Sequence, residues 1–213
     1  MEPRKEKEEL RDQLDLLLLL SALRDMGMTT KRLKLQKLAY FANVFAKLIG
    51  EGLTSHQFYF YKMGPFSKQV YSDSERLVAL GFVEPLQMKT GKAGTGQSFE
   101  YKISEHGMKK VNDALQLPEF EEAMRAIRIA LETTGHLGGN SIKRLAYGEP
   151  NCIAAKQKGF GTAMDRDYPL ATKFADIARN VAKKELNIDL KDDELCWLYV
   201  KLMESLQPTI GIK

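Results

Sequence analysis

The sequence predicts a mainly α-helical protein that contains one β-hairpin, and three observations support this fold class. Apolar residues recur every three to four positions over most of the chain, which is the spacing of one helix face. Residues 98–103 instead alternate between polar and apolar side chains, as in a half-buried strand. The composition, 44% hydrophobic and 28% charged over 213 residues, is that of an ordinary globular protein.

Two helices are predicted at the start of the chain. The first covers residues 5–25, and Gly27 closes it. The second covers residues 31–49, where the hydroxyl of Thr29 or Thr30 can cap the free amides of the first turn. The apolar stripe of the second helix consists of Leu35, Leu38, Ala42, Phe45 and Ile49. Lys31, Lys34 and Lys37 lie off this stripe.

A third helix and a hairpin are predicted over residues 58–103. The aromatic run at 58–61 has high strand propensity. Gly64 and Pro65 follow it, and proline is accepted at a helix start because its missing N–H would be unpaired there. We therefore expect a helix over 66–80, ended by Gly81. Residues 82–103 then read as a hairpin with a glycine-rich, basic tip at 89–96.

Three helices followed by a hairpin is the element order of a winged helix-turn-helix core, in which the third helix is presented and the hairpin forms the wing. The connection between the second and third helices is long enough to add a small strand to this wing. We expect the N-terminal helix and winged-helix core within residues 1–116. A helical region over 117–213 completes the fold by packing on that core.

The C-terminal region reads as helix throughout, with Pro118 at its boundary. One apolar stripe consists of Phe174, Ile177, Ala178 and Val181. A last helix begins at Asp192 or Asp193. Its predicted inward-facing residues are Leu195, Leu198, Leu202 and Leu206.

The positive charge of the chain is concentrated in one segment. Residues 31–112 hold 13 basic and 6 acidic side chains, which accounts for more than the whole net charge of +4. Local basicity is typical of a nucleic-acid surface, although a solvated lysine-rich face gives the same pattern. The candidate contacts to double-stranded DNA are Lys68, Gln69, Ser72 and Arg76 on the third helix, and Lys89 and Lys92 on the wing. Glu75, on the same helix face, would repel phosphate.

A protein-interaction surface is the competing interpretation, because aromatic side chains dominate binding at protein interfaces. The five candidates are Phe58, Tyr59, Phe60, Tyr61 and Phe66. Alternate side chains of a strand point to opposite sides, so either one row faces a partner or the helical region covers both rows. The leucine run at 16–20 fits a homodimer seam and core packing equally well.

The sequence predicts no catalytic residues, no metal site and no cofactor. The three histidines share no ligand spacing. The two cysteines, Cys152 and Cys196, fit no metal or redox motif, which favours a reduced, cytoplasmic compartment. The leucine run is too short to span a bilayer, so no membrane association is expected.

Three short segments resemble the Panacea domain family, which includes SocA-like antitoxins, YwgA-like proteins and phage-associated proteins. They are "KLQKLAYFAN" (residues 34–43), "YKMGPFSKQVYSD" (61–73) and "SIKRLAYGEPN" (141–151). The chain departs from the family pattern in its leucine-rich first helix, its long hairpin tip and the missing tryptophan after Pro150. The resemblance implies a non-enzymatic regulatory protein that acts through protein–protein interaction. It would either neutralise a toxin or act as an adaptor for a protease. The alternative is a winged-helix DNA-binding transcriptional regulator.

Overall fold

A computed structural model describes residues 5–53, 56–88 and 98–207 of the chain. The helices are α1 (Glu6–Asp25), α2 (Arg32–Ile49), α3 (Lys68–Ala79), α4 (Glu105–Ala114), α5 (Pro118–Thr134), α6 (Gly139–Gly148), α7 (Pro150–Lys158), α8 (Pro169–Val181) and α9 (Asp192–Leu206). A π-helical turn, Ala182–Leu186, continues α8. The strands are β1 (Thr30–Lys31), β2 (Tyr59–Tyr61), β3 (Gly64–Phe66), β4 (Val83–Met88) and β5 (Ser98–Ile103). The predicted mainly-α class is confirmed.

The predicted hairpin is present as β4 and β5. These strands pair antiparallel, from Val83 opposite Ile103 to Met88 opposite Ser98. The two-residue strand β1, which the sequence did not predict, pairs with the other edge of β5 and gives the sheet order β1-β5-β4. The hairpin tip lies outside the described residues. The winged-helix interpretation stays a prediction.

The expectation that Pro65 starts the third helix was wrong. Residues Gly64–Phe66 form β3, which pairs with β2 in a separate two-stranded sheet, so the aromatic strand does not extend the hairpin. Gly64, the first residue of β3, directly follows the tight turn that joins the two strands. Its φ of +80° is a conformation that glycine adopts without steric cost. Helix α3 begins at Lys68, because the Ser67 hydroxyl caps it by accepting from the amide of Val70 at 3.4 Å.

Helix α2 is the centre of the fold. Fourteen of its 18 residues are buried, and it contacts α5, α6, α8 and α9 as well as β1 and β3. Helix α1 packs against α3, α4, α5 and β5, and all five leucines of the run at 16–20 are buried there. The leucine run therefore packs in the hydrophobic core of its own chain.

The two predicted regions share one hydrophobic core, because buried side chains of both belong to the same cluster. The predicted boundary near residue 116 falls in the connection between α4 and α5. Among the helices that the structure describes, none is both long enough and apolar enough to cross a membrane.

Candidate protein-interaction site

The two motifs at 34–43 and 61–73 meet in the interior. The side-chain amide of Gln36 donates to the Ser67 carbonyl and accepts from the Ser67 N–H, both at 2.9 Å. The Lys37 ammonium group donates to the Pro65 carbonyl at 2.5 Å. Helix α2 thereby fixes the turn from β3 into α3, and both polar side chains act as structural links.

Lys37 is buried although it lies off the predicted apolar stripe. Burial lowers its pKa from 10.5 to about 7, because a charged amine is poorly solvated in the interior. Only 1% of the residue is exposed.

The third motif joins the same junction through Glu149, the N-cap of α7. Its fully buried carboxyl group accepts from the hydroxyls of Tyr40 on α2 (2.5 Å) and Tyr199 on α9 (2.8 Å). It also accepts from the side chain of Asn151 (2.8 Å) and the amide of Cys152 (2.9 Å). Burial raises the pKa of Glu149, and these four donors oppose the shift. This network joins α2, α7 and α9.

The two cysteines are unsuited to nucleophilic chemistry. Cys152 and Cys196 are free and buried. Burial raises the pKa of Cys196 to about 12 and that of Cys152 further still, so the reactive thiolate is disfavoured in both.

The predicted DNA contacts differ in their exposure and in their bonding partners. Lys68 and Ser72 are exposed on α3, although the Ser72 hydroxyl donates to the backbone carbonyl of Gln69 at 3.0 Å. Arg76 is exposed and forms an ion pair with Glu9 on α1. Lys89 and Lys92 lie outside the described residues.

Gln69 does not lie on the exposed face of α3, contrary to expectation. It is buried, and its side-chain oxygen accepts from the backbone amide of Gln57 at 2.6 Å. Glu75 is exposed as predicted and pairs with Arg32. The face therefore carries fewer free base-reading groups than the sequence suggested.

The aromatic run splits into two rows. Phe58 and Phe60 are buried, so their assignment to a partner surface was wrong. Tyr59 and Phe66 are half-buried and Tyr61 is exposed, as the alternation of a strand requires. Helix α2 and the neighbouring ring of Tyr147 cover the inner row.

A larger apolar surface, which the sequence did not assign, lies between α8 and α9. We call it the α8–α9 groove, and its volume is about 790 Å³. Its lining residues include six large apolar side chains that are 44–65% exposed: Ile177, Val181, Leu186, Ile188, Trp197 and Leu198. Leu198 had been predicted to face inward, and that prediction was wrong.

The sequence contains a signal for this groove. Helix α9 buries Leu195, Cys196 and Tyr199, and its neighbouring positions Trp197 and Leu198 are also large and apolar. A helix that is apolar on several sides is normally buried on several sides. Here the described part of the fold covers one of these sides, and the side that carries Trp197 and Leu198 stays accessible.

The rim of the α8–α9 groove carries charges of both signs. Glu194 and Lys201 line it directly. Nearby ion pairs join Arg179 to Asp192 at 3.0 Å and Lys183 to Asp189 at 2.9 Å. An apolar floor inside a rim of mixed charge is the usual composition of a protein-binding surface.

Comparison with known proteins gives no further assignment. No protein-family model matches the chain. No curated protein matches its sequence.

Proposed function

We propose that this chain is a non-enzymatic regulatory protein that acts by binding another protein, and that the α8–α9 groove is its binding surface. The observation that supports this proposal most strongly is the set of six exposed apolar side chains in one concave surface. Apolar patches of this extent mark interaction sites on soluble proteins. The resemblance to the Panacea family supports the same function class, with a toxin or a protease as partner.

The shape of the groove favours an amphipathic helix of the partner. Two helices form its walls, and a helix that lays its apolar face between them is a common recognition mode. Six side chains at about half exposure present on the order of 600 Å², which is below the ~800 Å² per partner of a standard interface. A single helix seated in the groove uses this area well, whereas a symmetric dimer needs more.

Photo-crosslinking tests the proposal. A photoreactive amino acid at position 177, inside the groove, is compared with the same amino acid at position 10, where Leu10 is 54% exposed on α1. We expect a specific crosslinked partner from position 177 alone. Crosslinks only to a second copy of this chain, or equal products from both positions, would contradict the proposal.

DNA binding through α3 is the second candidate, supported by the exposure of Lys68 on this helix and by the contact of α3 with the hairpin strand β4. Its test is fluorescence anisotropy with a labelled duplex over a salt series. Lys68→Ala should reduce the log–log salt slope by roughly 0.9 if Lys68 contacts a phosphate. An unchanged slope would remove this candidate.

A further inference from the structure

Three side chains of the kind that bind metals meet in the interior between α1 and α3. They are Asp12 on α1, His56 in the segment before β2, and Asp73 on α3, and all are at most 3% exposed. Nε2 of His56 lies 2.8 Å from a carboxylate oxygen of Asp73 and 3.9 Å from one of Asp12. Ligand atoms of all three lie within 4.8 Å of one another.

These distances suit a small divalent cation. Zn²⁺ binds histidine nitrogen and carboxylate oxygen at about 2.0–2.2 Å, so two of its ligands at tetrahedral positions lie about 3.3 Å apart. The separations of 2.8 and 3.9 Å lie on either side of that value. Small rotations of the side chains would bring all three ligand atoms into range of one ion.

The charges of the cluster favour the same ligand. Two buried carboxylates in one place are costly unless positive charge compensates them. A divalent cation bound by both carboxylates supplies the two positive charges that balance them.

Another buried carboxyl group of α1 lies near the cluster and already has an ion-pair partner. Asp15 lies one turn further along α1, and its salt bridge with Arg11 at 3.2 Å engages that guanidinium group. The pKa of Asp15 is raised to about 7, mainly by burial, with Arg11 opposing the shift and the charge of Asp12 adding to it.

We propose that Asp12, His56 and Asp73 bind one Zn²⁺ ion that joins α1 to α3. Burial of all three residues keeps the site away from solvent, so the ion acts as a structural link between the two helices. No ligand spacing is visible in the sequence, because the three ligands come from separate elements and lie 44 and 17 positions apart.

Metal analysis of the full chain, purified without a metal-affinity step, tests the site. We expect about one zinc per chain by mass spectrometry, a lower melting temperature after chelation, and its recovery when ZnCl₂ is added back. Asp12→Asn and Asp73→Asn should each weaken zinc binding by at least ~100-fold, since even outer-shell changes at metal sites cost 10–100-fold. Asp15→Asn, an equally buried carboxyl outside the cluster, should retain the metal.

A wild-type chain without zinc, whose melting temperature does not respond to added ZnCl₂, would overturn the proposal. Retention of zinc by Asp73→Asn at the wild-type affinity would also overturn it. If the variants do not fold, chelation and zinc addition to the wild type decide the question alone. Each of these negative results would assign the cluster to a hydrogen-bonded link between α1 and α3.

Discussion

At the residue scale, polar side chains of α2 determine where the following segment turns. Gln36 satisfies both backbone groups of the buried residue Ser67. Gln36→Ala leaves these groups unpaired, and we expect it to lower the free energy of unfolding by about 2–4 kcal/mol. Urea denaturation measures the loss. The matched control, Gln116→Ala at an exposed position, should stay within about 0.5 kcal/mol of wild type, and an equally small effect of Gln36→Ala would contradict the assigned role.

The lowered pKa of the buried Lys37 should make the stability of the protein depend on pH. Its pKa is about 7 in the folded chain and 10.5 in the reference state, so the unfolded chain binds an extra proton between these values. Stability should therefore rise with pH over this window, by at most about 1.4 kcal/mol per pH unit from this group. The free energy of unfolding of wild type minus that of Lys37→Met, measured by urea denaturation at pH 7, 8 and 9, isolates the contribution. A difference that does not change with pH would refute it.

At the scale of elements, long periodic segments could be predicted and short strands could not. Helices α1 and α2 begin and end within two residues of the expected bounds, and α9 begins at the expected Asp192, because apolar spacing and terminal signals agree there. Strands β1 and β3 have two and three residues, too few to show a period. The Gly64-Pro65 pair fits a helix start and a turn equally well, and only the pairing of β3 with β2 decides between them.

Two glycines of α6 test how closely the helices pack. A Cβ at Gly148 would lie 2.2 Å from the backbone carbonyl oxygen of Met203 on α9, whereas a Cβ at Gly139 would meet open space. Gly148→Ala should cost about 1–3 kcal/mol because backbone must move. Gly139→Ala should be neutral or stabilise by up to about 1 kcal/mol. Thermal unfolding compares them, and equal melting temperatures would contradict the close approach of α6 and α9.

At the scale of the whole molecule, the sequence predicted which segments carry apolar or aromatic stripes. It did not predict which of these stripes the rest of the fold covers. Strand alternation correctly separated the aromatic run into two rows, but tertiary packing decides that Phe58 and Phe60 lie inside. Periodicity likewise predicted the apolar stripe that contains Ile177, yet no sequence pattern states whether another element covers such a stripe. The cluster of Asp12, His56 and Asp73 was invisible for the same reason, since the fold alone brings its members together.

The position of the exposed stripe also predicts that it contributes little to folding. Ile177 is 52% exposed, so Ile177→Asp should lower the free energy of unfolding by only about 1 kcal/mol, the value of its half-buried side chain. Ala175 lies on the opposite face of α8 and is 2% exposed. Ala175→Asp should lower the free energy of unfolding several times more, because it buries a charge in the core. Urea denaturation of both variants checks this contrast. Equal losses would mean that the α8–α9 groove belongs to the structural core.

The most direct test of the central claim is the affinity of Ile177→Asp for the crosslinked partner, measured by calorimetry with both purified proteins. A charge placed in the apolar floor of the α8–α9 groove should weaken binding by at least ~30-fold, which corresponds to about 2 kcal/mol and is typical of a central interface residue. Leu10→Asp, with a similar exposed fraction on α1, should bind as wild type does. Equal affinity of Ile177→Asp and wild type would contradict the assignment of the α8–α9 groove as the binding surface.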